Sequence, residues 1–199
     1  MIIANWKANG ETKKNLHWCE TFIKSTDNTA LDYVGISPSS IHFNQIQNFF
    51  METNVKIGIQ DVDFKGGART GAISAKMASA EYCKFSLVGH SERRELFNED
   101  NHLIRKKIHS LLKHNIEPIL CIGESLEEYD SGKTRQKLKS QITESISKLN
   151  TLEELIIAYE PIWAIGSGIT PKPKEVNSMH EFIKDVVQSA TANNIVPKV

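Results

Sequence analysis

Short apolar segments recur about every 32 residues along this chain, which is the size of a β-strand plus its crossover helix. This repeat constrains the fold more than any other feature. Most of the segments are continuously apolar and rich in β-branched residues, as is typical of parallel strands covered on both faces. We predict six strands, at Ile2–Ala4, Tyr33–Ser37, Val55–Ile59, Phe85–Gly89, Pro118–Ile122 and Leu155–Tyr159.

The apolar period changes to a helical one between the strands. We predict helices over Asn101–His114, Gln136–Asn150 and Lys174–Asn193, where apolar residues recur every three or four positions. Val196–Val199 is expected to begin a seventh strand. Six βα units plus this start predict an α/β fold with a parallel sheet in one continuous domain, residues 1–199. The spacing fits both an open doubly wound sheet and a (β/α)8 barrel.

Charge and cysteine content exclude several classes of protein. The chain has 24 basic and 24 acidic residues, so a dedicated binder of nucleic acid or of an anionic membrane surface is not expected. No apolar run approaches the 18 or so residues of a membrane-spanning helix, and the N-terminus lacks a signal pattern. Three widely separated cysteines predict neither a disulfide framework nor a zinc site, and favour a reducing cytoplasm.

Chemically useful side chains follow the carboxyl ends of the predicted strands. Lys7 follows the first strand, His90 the fourth and Glu160 the sixth. Parallel strands open their carboxyl ends onto one rim, where active sites are built. Each residue alone is more often an ordinary surface or loop residue. Together they predict an acid–base site, with a carboxylate to abstract a proton, an imidazole to donate one and an ammonium to hold negative charge.

Other motifs are weaker on their own. Gly166-Ser167-Gly168 follows the Glu160 strand, and its amides could cradle a phosphate. His90-x-Glu92 lacks the cysteine spacing of the zinc deaminases, so no metal site is predicted. An acidic group precedes a basic one in the region 124–139, which we interpret as one solvated helix face: Glu124, Glu127, Glu128 and Asp130, then Lys133, Arg135, Lys137 and Lys139.

Four segments resemble one known family, the triosephosphate isomerases. Ala4-Asn5-Trp6-Lys7-Ala8-Asn9-Gly10 resembles the N-terminal segment of this family. Gly89-His90-Ser91-Glu92-Arg93-Arg94 resembles the segment that contains the family's histidine. The run from Ala158 to Gly168 is similar to their catalytic glutamate and mobile lid, and Cys121-Ile122-Gly123-Glu124 fits as well. The resemblance extends in order over essentially the whole chain.

The resemblance implies a TIM (β/α)8-type barrel that interconverts dihydroxyacetone phosphate and glyceraldehyde 3-phosphate without a cofactor or metal ion. Matched by position, Glu160 would be the base and His90 the electrophile that polarises the carbonyl. Lys7 and Asn5 would bind substrate and stabilise the enediolate, and Gly166 would offer an amide to the phosphate. Supporting residues near the site would be Glu92 and Cys121.

The family is usually homodimeric, and the resemblance places Thr70 at the tip of the loop that reaches the partner subunit. Here the sequence departs from the family, because Arg69 replaces a common aromatic residue and Ala72 a common glutamate. Ile169 replaces a lysine common at the end of the lid. We therefore expect altered dimer contacts and altered lid kinetics, but the same chemistry.

Length is the largest departure from the family pattern. Eight βα units need roughly 250 residues, whereas this chain has 199. An incomplete barrel is therefore expected, without the glycine-rich phosphate-binding segments of the seventh and eighth strands. Three hypotheses remain open: a triosephosphate isomerase, a silent or weakly active fragment that needs a complementary C-terminal piece, and an isomerase of another sugar phosphate.

Overall fold

Strands and helices alternate along the chain in a computed structural model that describes residues 1–147, 149, 155–191, 195 and 197–199. The described strands are β1 (Ile2–Asn5), β2 (Val34–Ser37), β3 (Lys56–Ile57), β4 (Phe85–Val88), β5 (Glu117–Ile122) and β6 (Ile156–Tyr159). The described helices are α1 (Thr12–Ser25), α2 (Asn28–Leu31), α3 (Phe43–Phe50), α4 (Ala75–Ala80), α5 (Ser91–Leu96), α6 (Asn101–Lys113), α7 (Leu126–Asp130), α8 (Thr134–Ile146) and α9 (Pro173–Ala190), with 3₁₀ turns at Ser40–His42 and Ile162–Ala164.

The predicted α/β class with parallel strands is confirmed. The strands form two sheets of order β1-β2-β3 and β4-β5-β6, and β1 with β2, β2 with β3 and β5 with β6 pair in parallel. All six predicted strands are present within two residues at each end, although β3 keeps only two residues and then a bridge from Ile59 to Ser86. Of the predicted seventh strand, Lys198 pairs in parallel with Ile156, and Val196 lies outside the described residues.

The predicted helices are also present, with earlier ends. Helix α6 ends at Lys113. Helix α8 ends at Ile146 and α9 at Ala190, and the predicted ends at Asn150 and Asn193 lie outside the described residues.

The interpretation of the region 124–139 as one solvated helix face is wrong in its single helix and for Glu124, whereas the other charged residues of this group are half-exposed or exposed as expected. Two helices occupy it, because Gly132 between them takes a positive φ of 69° that ends α7. Ser125 begins α7 with a capping box to Glu128, and Lys137 of α8 pairs with Glu128 at 2.7 Å. Glu124 lies before this cap and is fully buried. The acidic group is therefore split between a helix start and the protein interior.

The chain divides into two compact units. The first contains Met1–Leu87 with His114–Ile116. In it, β1 pairs with β2 and β2 with β3, and the buried ring of Phe85 lies against Gly35 and Gly58. A Cβ at Gly58 would come within 2.5 Å of that ring, so the close approach of ring and strand requires glycine.

The second unit contains Val88–Lys113 and Glu117–Val199. In it, β5 and β6 run in register from Ile119 opposite Ile156 to Ile122 opposite Tyr159. Helix α8 packs between α6 and α9, and α6 and α8 both contact β5. Fully buried aliphatic side chains on these helices form the core: Ile104, Ile108, Leu111, Leu138, Ile142, Ile183 and Val187. The apolar faces predicted for α6 and α9 therefore point inward.

None of the described helices is both long and apolar enough to cross a lipid bilayer.

Candidate active site

His90 lies in the turn that joins β4 to α5. Gly89 before it takes a positive φ of 72°, and His90 itself is the N-cap of α5, with only 7% of its surface exposed. Its Nδ1 accepts a hydrogen bond from the backbone N–H of Glu92 at 3.3 Å. A neutral ring whose Nδ1 is an acceptor carries its proton on Nε2. The fold thus fixes which ring nitrogen can donate.

Glu160 follows β6 and contacts the His90 segment through both carboxylate oxygens. Its Oε1 lies 3.3 Å from His90 Nε2, and its Oε2 accepts from the backbone N–H of Ser91 at 3.3 Å. The Glu160 N–H donates to the carbonyl of Ile122 at 2.8 Å, which continues the β5–β6 ladder to the base of this side chain. The structure therefore brings together two predicted site residues 70 positions apart. A carboxylate beside a ring N–H can take a proton while the ring donates one.

Glu92 and Cys121 lie around this pair. Glu92 is half-exposed, and its Oε2 is 3.6 Å from His90 Nδ1. Cys121 is buried in β5, and burial together with the charge of Glu160 raises the pKa of its thiol well above the usual value. Cys121 is therefore a neutral, apolar neighbour of the Glu160 carboxylate.

Glu124 anchors the segment that follows Glu160. This carboxylate is fully buried, and its Oε1 accepts from Trp163 Nε1 at 2.8 Å and from the Tyr159 hydroxyl at 3.1 Å. Its backbone carbonyl accepts from Ile162 N–H at 3.1 Å. Burial raises the pKa of Glu124, and the two side-chain hydrogen bonds oppose that rise. The Tyr129 ring covers Trp163, with ring centroids 4.5 Å apart.

Gly166 belongs to the stretch that follows Glu160, residues 161–170, which we call the 161–170 segment. Gly166 and Gly168 take positive φ values of 69° and 74°, and a Cβ on either would meet nothing within 4 Å. Conformation rather than space therefore calls for glycine at both positions. The first turn of the segment is held by Glu124, whereas Ile165–Thr170 are exposed.

Asn5 and Lys7 lie in the first unit, at the end of β1. Lys7 adopts a positive φ of 51°, which is uncommon for a residue with a side chain. Its N–H donates to Asn5 Oδ1 at 3.0 Å, and its carbonyl accepts from Gln60 Nε2 at 2.8 Å. Gln60 Nε2 also donates to the Ser37 carbonyl at 3.0 Å. A strained backbone held in this way is common at functional positions.

Thr70 also lies in the first unit, in an exposed loop. The side chain of Arg69, one of the departures from the family pattern, contacts two nearby residues of the same chain segment. Its Nε donates to Asp63 Oδ2 at 2.5 Å, and its guanidinium lies 5.3 Å from the centroid of the Phe64 ring. Arg69 therefore shapes its own loop.

Three contributors were missed from the sequence. Glu124 follows a predicted strand, the same signal that singles out His90 and Glu160, but the interpretation as a helix face gives it no role at the site. Gln60, just beyond Ile59, carries no motif that points to Lys7. Arg94 stands in the quoted histidine segment but was given no role. Among the described residues, no cluster of three or more His, Cys, Asp or Glu side chains is arranged to hold a metal ion.

Comparison with known proteins gives a consistent result. The family model described as triosephosphate isomerase matches residues 1–199. A protein of Legionella pneumophila (strain Lens) named triosephosphate isomerase is 34% identical over 189 residues, covering 94% of this chain and 76% of the relative. One of Francisella tularensis subsp. mediasiatica with the same name is 35% identical over 201 residues, covering 98% of this chain and 79% of the relative.

Proposed function

Because the chain belongs to the triosephosphate isomerase family, we propose that it interconverts dihydroxyacetone phosphate and D-glyceraldehyde 3-phosphate through an enediolate. The observation that carries this proposal is the pairing of the Glu160 carboxylate with His90 Nε2 at 3.3 Å in a largely buried position. The family fold is the TIM (β/α)8 type, to which the parallel βα units of this chain correspond.

In the proposed mechanism, Glu160 is the base that takes a proton from one substrate carbon and returns it to the neighbouring one. A positioned base or acid of this kind contributes roughly 10²–10⁴-fold to the rate. His90 is the donor that supports the substrate oxygen on which negative charge develops, and its Nδ1 contact with Glu92 N–H keeps the proton on Nε2. The buried setting strengthens both interactions.

Substrate binding is proposed for Asn5, Lys7 and Gly166. The Lys7 ammonium would attract the phosphate dianion and stabilise the enediolate, since fixed cations act on charge as it develops. Asn5 supports this role by accepting from the Lys7 N–H at 3.0 Å. The exposed Gly166 amide suits a phosphate oxygen, because backbone N–H groups in glycine turns bind anions well. Glu92 and Cys121 are proposed as supporting residues around His90 and Glu160.

The test is an isomerase assay of the purified 1–199 chain with D-glyceraldehyde 3-phosphate. We expect turnover that Glu160→Gln lowers at least 10²-fold, because the amide cannot accept the proton. Glu127→Gln is the control, since this carboxylate is exposed. Equal rates for wild type and Glu160→Gln would overturn the assignment of the base. Activity that appears only after addition of the C-terminal segment of a relative would favour the fragment hypothesis. Turnover of another sugar phosphate alone would contradict the proposed substrate.

We further propose that the chain forms a homodimer, with the Thr70 loop of one subunit against its partner. A groove of about 260 Å³ on the first unit supports this, because its rim carries Ile41, 88% exposed, and Met77, 55% exposed. Exposed apolar side chains around a groove mark association sites. Ile41→Lys would shift the mass measured by light scattering toward the monomer, whereas Tyr33→Lys, also exposed, would not. A monomeric wild type would refute this assembly.

We propose a cytoplasmic location. All three cysteines, Cys19, Cys83 and Cys121, are unpaired thiols, which suits a reducing compartment.

A further inference from the structure

Arg94 lies in the last turn of the short helix α5, and its guanidinium contacts the turn that contains Gly89 and His90. Its Nε donates to the Gly89 carbonyl at 2.7 Å, its Nη2 to the Cys121 carbonyl at 3.3 Å and its Nη1 to Asn101 Oδ1 at 2.7 Å. Two of these acceptors are backbone carbonyls on different strands or strand ends. Arg94 reaches its three acceptors from three different nitrogens of a planar fork, whereas a lysine would offer one nitrogen.

The first of these hydrogen bonds acts on the residue directly before His90. Gly89 takes a positive φ, and a Cβ there would lie 2.8 Å from Ile104 Cδ1 and 2.9 Å from Arg94 Nη2. The guanidinium therefore fills the space beside this turn. Because the carbonyl of Gly89 belongs to the same peptide unit as the N–H of His90, holding that carbonyl orients the His90 backbone.

The second hydrogen bond connects this turn to the strand beside Glu160. Cys121 lies opposite Ala158 in the β5–β6 register. Ala158 stands two residues before Glu160. One side chain thus links the backbone that carries His90 to the pair of strands from which Glu160 extends. The third bond extends the link to α8, since Asn101 Nδ2 donates to Glu144 Oε2 at 3.0 Å.

The positive charge of Arg94 is also partly buried. Burial lowers the pKa of its guanidinium, and nearby acidic groups, among them Glu99 and Glu160, oppose that lowering. A guanidinium stays protonated in proteins, so Arg94 keeps a positive charge near the Glu160 carboxylate. Neither the sequence nor the family match assigns this residue a role.

We propose that Arg94 is a positioning residue of the isomerase site, whose fork holds the Gly89–His90 turn at its observed separation from Glu160. The inference rests on the proposed function. Removal of the fork loosens His90 Nε2 relative to the carboxylate without removing a group that contacts substrate. The loss therefore falls on kcat rather than on KM, because misplacement of reacting groups by about 1 Å costs on the order of 10²-fold in rate.

The test compares Arg94→Ala, Arg94→Lys and the milder Asn101→Ala with Arg105→Gln. Arg105 is the matched control, an arginine of the same unit that hydrogen-bonds Ser147 and His102. We expect kcat to fall roughly 10- to 100-fold in both Arg94 variants, with KM within about threefold of wild type. Asn101→Ala loses less, and methylguanidine added to Arg94→Ala restores part of kcat. Arg105→Gln keeps the wild-type kcat.

Either of two kinetic results would overturn the proposal: a kcat that Arg94→Lys retains in full, or a loss confined to KM. The ¹⁵N NMR signals of the His90 ring, assigned by their absence in His90→Gln, provide a readout that needs no turnover. We expect these signals to shift or broaden in the Arg94 and Asn101 variants and to stay unchanged in Arg105→Gln. Unchanged signals in a folded Asn101→Ala variant and in Arg94→Lys refute the proposal even if the chain is inactive. Inactivity of the wild type with shifted signals refutes only the isomerase function.

Discussion

Trp163 donates its indole N–H to the buried carboxylate of Glu124, and the two atoms are 2.8 Å apart. Tyr159 donates to the same oxygen, Oε1, while Oε2 has no hydrogen-bond partner among the described residues. An acidic group therefore fixes the start of the 161–170 segment although half of its hydrogen-bonding capacity is unused. Leaving a buried acceptor unsatisfied has a free-energy cost.

Replacement of Glu124 by glutamine is expected to change how stability depends on pH. Burial raises the pKa of Glu124 in the folded state above the value in the unfolded chain. The folded protein therefore retains this proton at pH values where the unfolded chain has lost it, so this residue's stabilising contribution is full below the unfolded pKa and is lost as pH rises through the folded pKa.

Glu124→Gln removes this dependence and keeps an oxygen that can accept from Trp163. We expect the free energy of unfolding of this variant, measured in urea between pH 4 and pH 8, to increase relative to that of wild type as the pH rises. The exposed Glu127→Gln serves as the control. Parallel stability curves for wild type and Glu124→Gln would contradict the expectation.

Gly123→Ala is expected to impair both stability and catalysis. A Cβ at Gly123 would overlap the Glu160 carbonyl oxygen and lie 3.3 Å from Ile162 Cγ1. Overpacking of this kind costs about 1–3 kcal/mol, and here the displaced group is the backbone of the proposed base. Denaturant unfolding and kcat measure the two effects. In the control Gly66→Ala the new Cβ meets only Ser74, at 3.5 Å, so both quantities stay near wild type.

Gln60→Ala is expected to weaken substrate turnover through Lys7. The substitution removes the hydrogen bonds to the Lys7 and Ser37 carbonyls, each worth about 0.5–1.5 kcal/mol. Without them the positive φ of Lys7 is less well held, and we expect kcat/KM to fall roughly tenfold. Gln45→Ala is a matched control, because Gln45 also donates to a backbone carbonyl, that of Thr12, at an exposed position. Similar kcat/KM values for the two variants would disprove a special role for Gln60.

Lys107→Met is expected to be strongly destabilising. Lys107 Nζ lies 2.6 Å from Glu99 Oε1, and both side chains are almost fully buried. Removal of one partner from a buried ion pair typically costs 3–5 kcal/mol, because the other charge stays in the interior. Arg93 Nε, 2.7 Å from the same Glu99 oxygen, offsets part of that cost in this variant. The exposed pair of Lys14 and Glu11, also 2.6 Å apart, provides the comparison. Lys14→Met is expected to cost less than about 1 kcal/mol by the same urea measurement. Equal costs would contradict the burial argument.

The sequence predicted the strands, and it placed His90 and Glu160 at one rim, for a simple physical reason. Parallel strands buried on both faces produce continuous apolar runs such as Ile119–Ile122, and these runs are easy to recognise. The residues that follow them are then confined to one edge of the sheet. Local composition therefore carries enough information for the strand positions and for the residues that end them.

Residues whose partners are distant backbone groups were not predictable in the same way. The acceptors of Arg94 are carbonyls of Gly89 and Cys121, which leave no trace in side-chain identity. Lys107 is different, because it stands three residues after buried Ile104 and one before Ile108 on α6. Its spacing indicated the buried face, but a charged residue there becomes plausible only once the position of Glu99 is known.

The burial of the three thiols gives the chain a built-in set of labelling probes. Burial raises the pKa of Cys19 to about 11 and that of Cys83 to about 12, and that of Cys121 lies well above its usual value. Thiols of this kind are inert until the surrounding structure opens. Cys19 and Cys83 belong to the first unit and Cys121 to the second. The rate at which a disulfide reagent modifies each sulfur therefore reports the opening of its own unit. Comparison of these rates gives the order in which the two units open, without any substitution in the chain.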